Sequence, residues 1–439
     1  MRLRLARGGM ILLLLLAGVV RSQEPEPRLG PGDSVALFNG KDLSEWVTRG
    51  GPYDGDARWT VEDGVIVGRQ GPRKAGGLLY TRGLYRDFIL SLEVKVDHPF
   101  DSGLFVRMGR KGPGAQLTLD DRPGGEIGAV YSGRFLQHQP KTPEAWKRNQ
   151  WNRITLRCTG AEARLKAWIN GVLVTTYVPD DEAPRFLSVG RIGLQVHGGE
   201  EVPDHQSVRF RRIRLRVLPA HDDHLFSCDA EGFLDLKAAG REAGWVALFD
   251  GKNLDAWMDG PVKESALVKD RCLLFPSRGK PGTLVSRRDF RDFDLRLDFR
   301  ITDMANSGVF LRAARDGSNP AYSGCEIQIL DDFNWERETR SRLKPWQFTG
   351  SLYGSVPPGS REALRPNGQW NTYEITYVGT RLTVDLNGVR LYDVDTLEVP
   401  GKPFARRAAE GFIGLQRYSS ATVHGDVMVA FRNIFVRPR

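Results

Sequence analysis

Short runs rich in Val, Ile, Leu, Phe and Tyr alternate with polar residues along most of the chain and stop at Gly, Pro, Asn or Asp. A period of two sends successive side chains to opposite faces, as in a half-buried β-strand. The pattern predicts strands at 88–96, 103–108, 154–158 and 165–169, and again at 293–301, 373–377 and 382–386. Asn170-Gly171 and Asn387-Gly388 fall between such runs. Asn-Gly is a strong hairpin signal because both residues tolerate the positive φ of a tight type I′ turn. Many strands, short turns and no sustained helical period predict an all-β chain of two-sheet sandwiches or jelly rolls.

The pattern occurs twice. Ala36-Leu37-Phe38-Asn39-Gly40-Lys41-Asp42-Leu43-Ser44-Glu45-Trp46 returns as Ala247-Leu248-Phe249-Asp250-Gly251-Lys252-Asn253-Leu254-Asp255-Ala256-Trp257. Arg86-Asp87-Phe88 returns as Arg291-Asp292-Phe293, Ser102-Gly103 as Ser307-Gly308, and Trp151-Asn152 as Trp370-Asn371. Ile192-Gly193-Leu194-Gln195 returns as Ile413-Gly414-Leu415-Gln416. The repeat unit is therefore a whole domain rather than a solenoid repeat. The expected division is a leader at 1–22, a first domain at 23–218, a connector at 219–244 with one short helix within 233–239, and a second domain at 245–439.

Arg2, Arg4 and Arg7 precede an apolar run at 10–20 that ends in small or polar residues, which is the pattern of a secretory signal peptide. No later stretch approaches the roughly 20 apolar residues of a membrane span. The expectation is a secreted or periplasmic protein with no stable membrane insertion after leader cleavage. Val19 stands where a lipid-anchored protein would carry Cys, which argues against acylation. The formal net charge of +9 is diffuse, and part of it leaves with the leader. Its densest stretch alternates Arg212, Arg214 and Arg216 with Ile213, Leu215 and Val217, the period of a strand with one solvated face rather than a nucleic-acid patch. Cys158, Cys228, Cys272 and Cys325 show no metal-ligand spacing and do not recur between the halves.

The motifs that carry a family resemblance are Leu-Phe-Asn/Asp-Gly-Lys near each start, Asn306-Ser307-Gly308-Val309-Phe310-Leu311-Arg312, Glu326-Ile327-Gln328-Ile329-Leu330-Asp331 and Gly350-Ser351-Leu352-Tyr353-Gly354. Gly368-Gln369-Trp370-Asn371 and Ile413-Gly414-Leu415-Gln416 complete the set. In combination they resemble the 3-keto-disaccharide hydrolase domain, whose fold is similar to the concanavalin A-like lectins and glucanases. The resemblance implies two tandem concanavalin A-like jelly-roll sandwiches and an oligosaccharide or glycoside substrate oxidised at carbon 3. The ketone acidifies the hydrogen on carbon 2, so a base, an enolate stabiliser and an acid for the leaving oxygen would suffice for elimination, with water adding afterwards.

Strand parity nominates the residues. Phe310 and Arg312 share a face opposite Val309 and Leu311, and Glu326 and Gln328 share a face opposite Ile327 and Ile329. Asp331 falls on the apolar parity and is expected at a strand end or after a bulge. The expected catalytic set is Glu326, Asp331, Arg312 and His197, with Gln328, Phe310, Asn306, Glu126 and Arg107 binding substrate and the second copy carrying most of any activity. Two readings of Glu326 with Arg312 stay open, a structural ion pair or a sugar-facing pair; His197 is either a loop residue or a catalyst. No cofactor is expected with certainty. Asp331-Asp332 offers oxygen ligands for a cation such as calcium, although such acidic pairs also occur as solvated turns. The alternative to an enzyme is a non-catalytic carbohydrate-binding or scaffold protein, since one fold serves both.

Overall fold

The structure of the protein is a computed structural model. It describes residues 24–439 apart from 31–33, 111, 113, 161, 185, 187–188, 200–201, 204, 220, 230, 402–403 and 419–425. The leader expected at 1–22 lies outside the described residues.

Each half is a sandwich of two antiparallel sheets. In the first copy the eight-stranded outer sheet runs Val172–Tyr177, Arg164–Ile169, Asn152–Thr159, Asp87–Val96, Val208–Leu218, Val65–Arg69, Arg58–Glu62, with Val35–Ala36 also paired to Val208–Leu218. The seven-stranded inner sheet runs Phe135–Gln137, Ile127–Tyr131, Ala115–Leu119, Gly103–Met108, Arg191–Val196, Gly77–Thr81, Trp46–Val47. The second copy repeats the outer sheet around Phe293–Ile301 and Val427–Pro438, and its inner sheet has four strands in the order Gly282–Phe290, Gly411–Arg417, Asn306–Ala313, Cys325–Leu330. One residue parity fills each core, with Leu104, Val106, Leu117, Ile192 and Leu194 in the first and Val309, Leu311, Ile327, Ile413 and Leu415 in the second. This is the all-β pair of jelly-roll sandwiches that the period of two predicts.

The repeated motifs fasten the sandwich in the same way twice. The indole N–H groups of Trp46 and Trp257 donate to the carbonyls of Leu37 and Leu248, both at 2.8 Å, which closes the opening motif into a loop. Asn170 (φ 49°) and Gly171 (φ 92°) turn one hairpin, and Asn387 (φ 55°) and Gly388 (φ 82°) turn the other. Each turn Asn also donates to the Asn of the Trp-Asn motif, at 2.9 Å from Asn170 to Asn152 and 2.7 Å from Asn387 to Asn371. The hydroxyls of Ser102 and Ser307 donate to the carbonyls of Gln195 and Gln416, tying neighbouring inner strands together.

The connector differs from the expectation of a linker with a helix within 233–239. Phe226–Cys228 pairs with Leu234–Leu236 as a hairpin, and the helix follows at Ala238–Glu242. The reason is burial: Phe226 and Leu234 pack on Phe435 of the second copy, and Asn433 accepts from the Leu234 N–H at 2.9 Å and donates to the Gly232 carbonyl at 3.0 Å. In the basic strand Val208–Leu218, Ile213 and Leu215 are buried while Arg211 and Arg212 both pair with Glu93. All four cysteines are free thiols.

Candidate functional site

The outer face of the first copy's inner sheet floors an open cleft of about 620 Å³. Phe105 and Gln116 lie opposite each other on adjacent strands, and Gln195 projects from the next. Their amides are joined, Gln116 Nε2 donating to Gln195 Oε1 at 2.9 Å. Gly103 makes this arrangement fit, because a Cβ there would collide with the Gln116 amide. Tyr53, Phe105, Tyr131 and Phe135 give the walls aromatic faces, with the Tyr53 and Phe105 rings 5.5 Å apart. Polar amides beside aromatic faces suit a sugar, whose ring has apolar patches between its hydroxyls.

At one end the chemistry concentrates. Asp101 lies just before strand Gly103–Met108 and His197 just after strand Arg191–Val196, which places His197 Nε2 at 3.6 Å from Asp101 Oδ2. Arg122 bridges Asp101, at 3.1 Å, and Asp120, at 2.7 Å. Burial, reinforced by the Asp120 charge and opposed by Arg122, pushes the Asp101 carboxyl up to about 7. Burial and the Arg122 charge move His197 below the ordinary imidazole range, so it is neutral near pH 7. Its Nδ1 is enclosed without a partner among the described residues, leaving Nε2 as the nitrogen turned toward Asp101. The cleft thus holds a neutral imidazole, a carboxyl that carries a proton near neutrality, and a guanidinium.

The second copy is built differently at the same place. The segment that follows the strand carrying Phe310 is longer than its counterpart after the strand carrying Phe105, 314–324 against 109–114, and its helix Pro320–Ser323 lies on the sheet with Ala321 and Tyr322 against Phe310 and Phe412. Shared strand register puts Asn306 where the first copy has Asp101, and Tyr418 where it has His197. Glu326 is 4 % exposed and its carboxyl has no hydrogen-bond partner among the described residues; burial pushes it up to about 8. Gln328 turns its Oε1 onto the backbone N–H of Ile329 at 2.9 Å. The Gly-Ser-Leu-Tyr-Gly motif covers the sheet edge, where the Tyr353 N–H donates to the Glu326 carbonyl at 2.9 Å.

Several sequence expectations are corrected by this geometry. Arg107 and Arg312 do not face a cleft. Both sit at a β-bulge in the left-handed region, at φ 57° and 51°, which reverses their parity and drives each guanidinium between the sheets. Arg107 reaches Asp87 at 3.3 Å and Arg312 reaches Asp292 at 2.9 Å, so the repeated Arg-Asp-Phe motif supplies the partner, not Glu326. Asp331 is buried in a loop junction, where it accepts from the Met304 N–H at 2.8 Å and the Asn334 side chain at 2.9 Å. Asp332 accepts from the Thr349 N–H and hydroxyl at 3.0 and 3.1 Å, so the oxygens offered for a cation hold backbone instead. No three His, Cys, Asp or Glu side chains gather as a metal-binding group among the described residues. Glu126 lines the first cleft and pairs with His138 at 2.8 Å, but Gln116, not Glu126, is the counterpart of Glu326. His197 stands in the cleft, whereas Asn306, Phe310, Gln328 and Glu326 gather in the second copy. Asp101, Asp120, Arg122 and Gln116 were missed; the landmark Ser102-Gly103, with Asp before it in one copy and Asn in the other, was the available signal.

Comparison with known proteins settles the ancestry of both sandwiches. The model of the 3-keto-alpha-glucoside-1,2-lyase-like domain matches residues 33–216 and 244–437. The chain belongs to this family. Within the family it is 28 % identical over 158 residues to a 3-keto-disaccharide hydrolase of Bacteroides thetaiotaomicron; that alignment covers 31 % of this chain and 54 % of the relative, about half its length. A solved glycosyl-hydrolase candidate from Parabacteroides distasonis is 29 % identical, covering 44 % of this chain and 99 % of that one with a TM-score of 0.38. A galectin-like protein of Bacillus subtilis is 11 % identical, covering 44 % and 95 %, with a TM-score of 0.32.

Proposed function

We propose that this exported protein cleaves 3-keto-glycosides in the cleft of its first copy. The observation that carries the reading is the neutral His197 imidazole 3.6 Å from the proton-bearing Asp101 carboxyl, beside Arg122, in a cleft with aromatic walls. Export is supported by the basic and apolar leader pattern.

His197 Nε2 takes the proton from carbon 2, which the neighbouring ketone has acidified, and Arg122 draws the developing enolate charge. The C1–O bond then breaks, C1=C2 forms, and the leaving oxygen receives the Asp101 proton. In the second half a water gives its proton to the Asp101 carboxylate and its hydroxide to carbon 1, while His197 returns its proton to carbon 2. Gln116 and Gln195 hold hydroxyls, and the aromatic walls exclude bulk water from the reacting carbons. The balance is one glycoside and one water in, one 3-keto sugar and one alcohol out.

The test is aglycone release from a 3-keto-glucoside with the unoxidised glucoside as control. Release from the oxidised compound alone supports the reading. A chain that retains both compounds on a column and cleaves neither is the carbohydrate-binding protein that the sequence left as the alternative.

A further inference from the structure

A second hollow of about 560 Å³ adjoins the cleft, separated from it by the loop that follows strand Trp46–Val47. One side of this loop offers Tyr53 to the cleft, the other offers Gly50 and Gly51 to the hollow, and Asp54 lines both. The partition is firmly placed. The Gly50 and Gly51 N–H groups donate to the Asp54 carboxylate at 2.9 Å each, and the Tyr53 N–H donates to the Tyr80 hydroxyl at 3.1 Å. Gly51 rests so close to the Tyr80 ring that a Cβ would clash with it.

Four guanidiniums line the hollow, from Arg49, Arg82, Arg110 and Arg191, against the carboxylates of Asp54 and Glu362. Asp54 is committed to its own loop. Glu362 comes from the second copy and is shared, at 3.2 Å from Arg110 and 3.5 Å from Arg191. Arg82 donates only to the Ser44 carbonyl and faces no carboxylate within ion-pair distance among the described residues. Arg49 is paired with Asp56 at 2.6 Å. Counting that carboxylate with Asp54 and Glu362, the four guanidiniums keep an excess of one positive charge in a concave surface one loop away from the sugar cleft, and such surfaces concentrate anions.

We propose that this hollow is a subsite for an anionic group, so that the glycosides favoured by this chain carry a carboxylate, sulfate or phosphate on the portion released. The inference rests on the first-copy cleft as the sugar site and names its substrate class. Planar guanidiniums bind such oxyanions in paired hydrogen bonds. Glu362 makes the second copy a specificity element of the first copy's site, since it competes with the ligand's anion for Arg110 and Arg191.

The experiment compares 4-carboxyphenyl and phenyl 3-keto-glucosides of one anomeric form with the full chain, by kcat/KM, and the two unoxidised glucosides by titration calorimetry. The carboxylate is expected to be preferred. Arg82→Gln and Arg110→Gln should each cut that preference about three- to fivefold, the range of an exposed charge pair, without changing the values for the phenyl compound. Glu362→Gln should raise the preference by removing the competitor. Equal binding of the two glucosides, a preference that survives both arginine substitutions, or no binding of either compound overturns the subsite. Absence of turnover with a retained carboxylate preference in calorimetry would instead overturn the cleavage reaction and leave the subsite standing.

Discussion

Asp101 Oδ2 and His197 Nε2 stand 3.6 Å apart at the ends of neighbouring inner strands, and the shared register puts Asn306 and Tyr418 at the same two places in the second copy. An amide and a phenol cannot replace a titrating carboxyl and a neutral imidazole near pH 7, so the copies differ in chemistry while sharing a fold. His197→Gln is expected to lower kcat by at least about 100-fold, the scale of a lost general base, with little change in KM and an unchanged circular dichroism spectrum. Tyr418→Phe should leave kcat within about twofold of the parent. Equal losses would show two working sites.

The two pKa displacements set a pH profile. Activity needs Asp101 protonated and His197 neutral. It should therefore fall on the alkaline side through about 7, where Asp101 ionises, and on the acid side only below the usual imidazole range, where His197 takes a proton. Rates of aglycone release across pH test this. Asp101→Asn should abolish turnover rather than shift the alkaline limb.

Glu326 offers a stability test separate from catalysis. Its native pKa of about 8 lies above the ordinary 4.5, so the folded state binds the proton more tightly and stability falls as pH rises between those values. Glu326→Gln removes the penalty. Its melting temperature should exceed that of the parent by a few degrees above about pH 9, corresponding to about 1 kcal/mol or more, and match it below about pH 4. Aglycone release should be unaffected, because this carboxyl lies outside the first cleft.

Arg107 and Asp87 form a pair enclosed between the sheets, with both side chains almost wholly buried. Arg107→Met leaves Asp87 without that partner and should destabilise the first copy by about 3–5 kcal/mol. Urea denaturation reads the loss. At a temperature where the variant stays folded, kcat should be close to that of the parent, which a sugar-facing arginine would not allow.

The connector hairpin belongs with the second sandwich. A fragment of 219–439 should resist denaturant better than one of 245–439, by about 2–4 kcal/mol, because the shorter one exposes the face of Phe435 that Phe226 and Leu234 cover. Equal midpoints would show that the hairpin contributes nothing to the fold.

Sequence by itself determined the features that depend on near neighbours. The period of two fixes which side chains enter each core, Asn-Gly fixes two hairpins because few other residues accept their positive φ, and the recurring motifs fix a duplicated sandwich. His197 was legible as a candidate from its place after the Leu-Gln motif. Tertiary structure decided the rest. A bulge at Arg107 and Arg312 reverses side-chain parity, and alternation along the strand does not reveal a bulge. The longer 314–324 segment shifts the counterpart of Glu326 from Glu126 to Gln116 and lays Tyr322 over the second copy's face. Asp101 and His197 are far apart along the chain and meet only because Gly103–Met108 pairs with Arg191–Val196. Strand register is a non-local property set by packing and connection length, so the copy that holds the open cleft emerges only when the sheets are assembled.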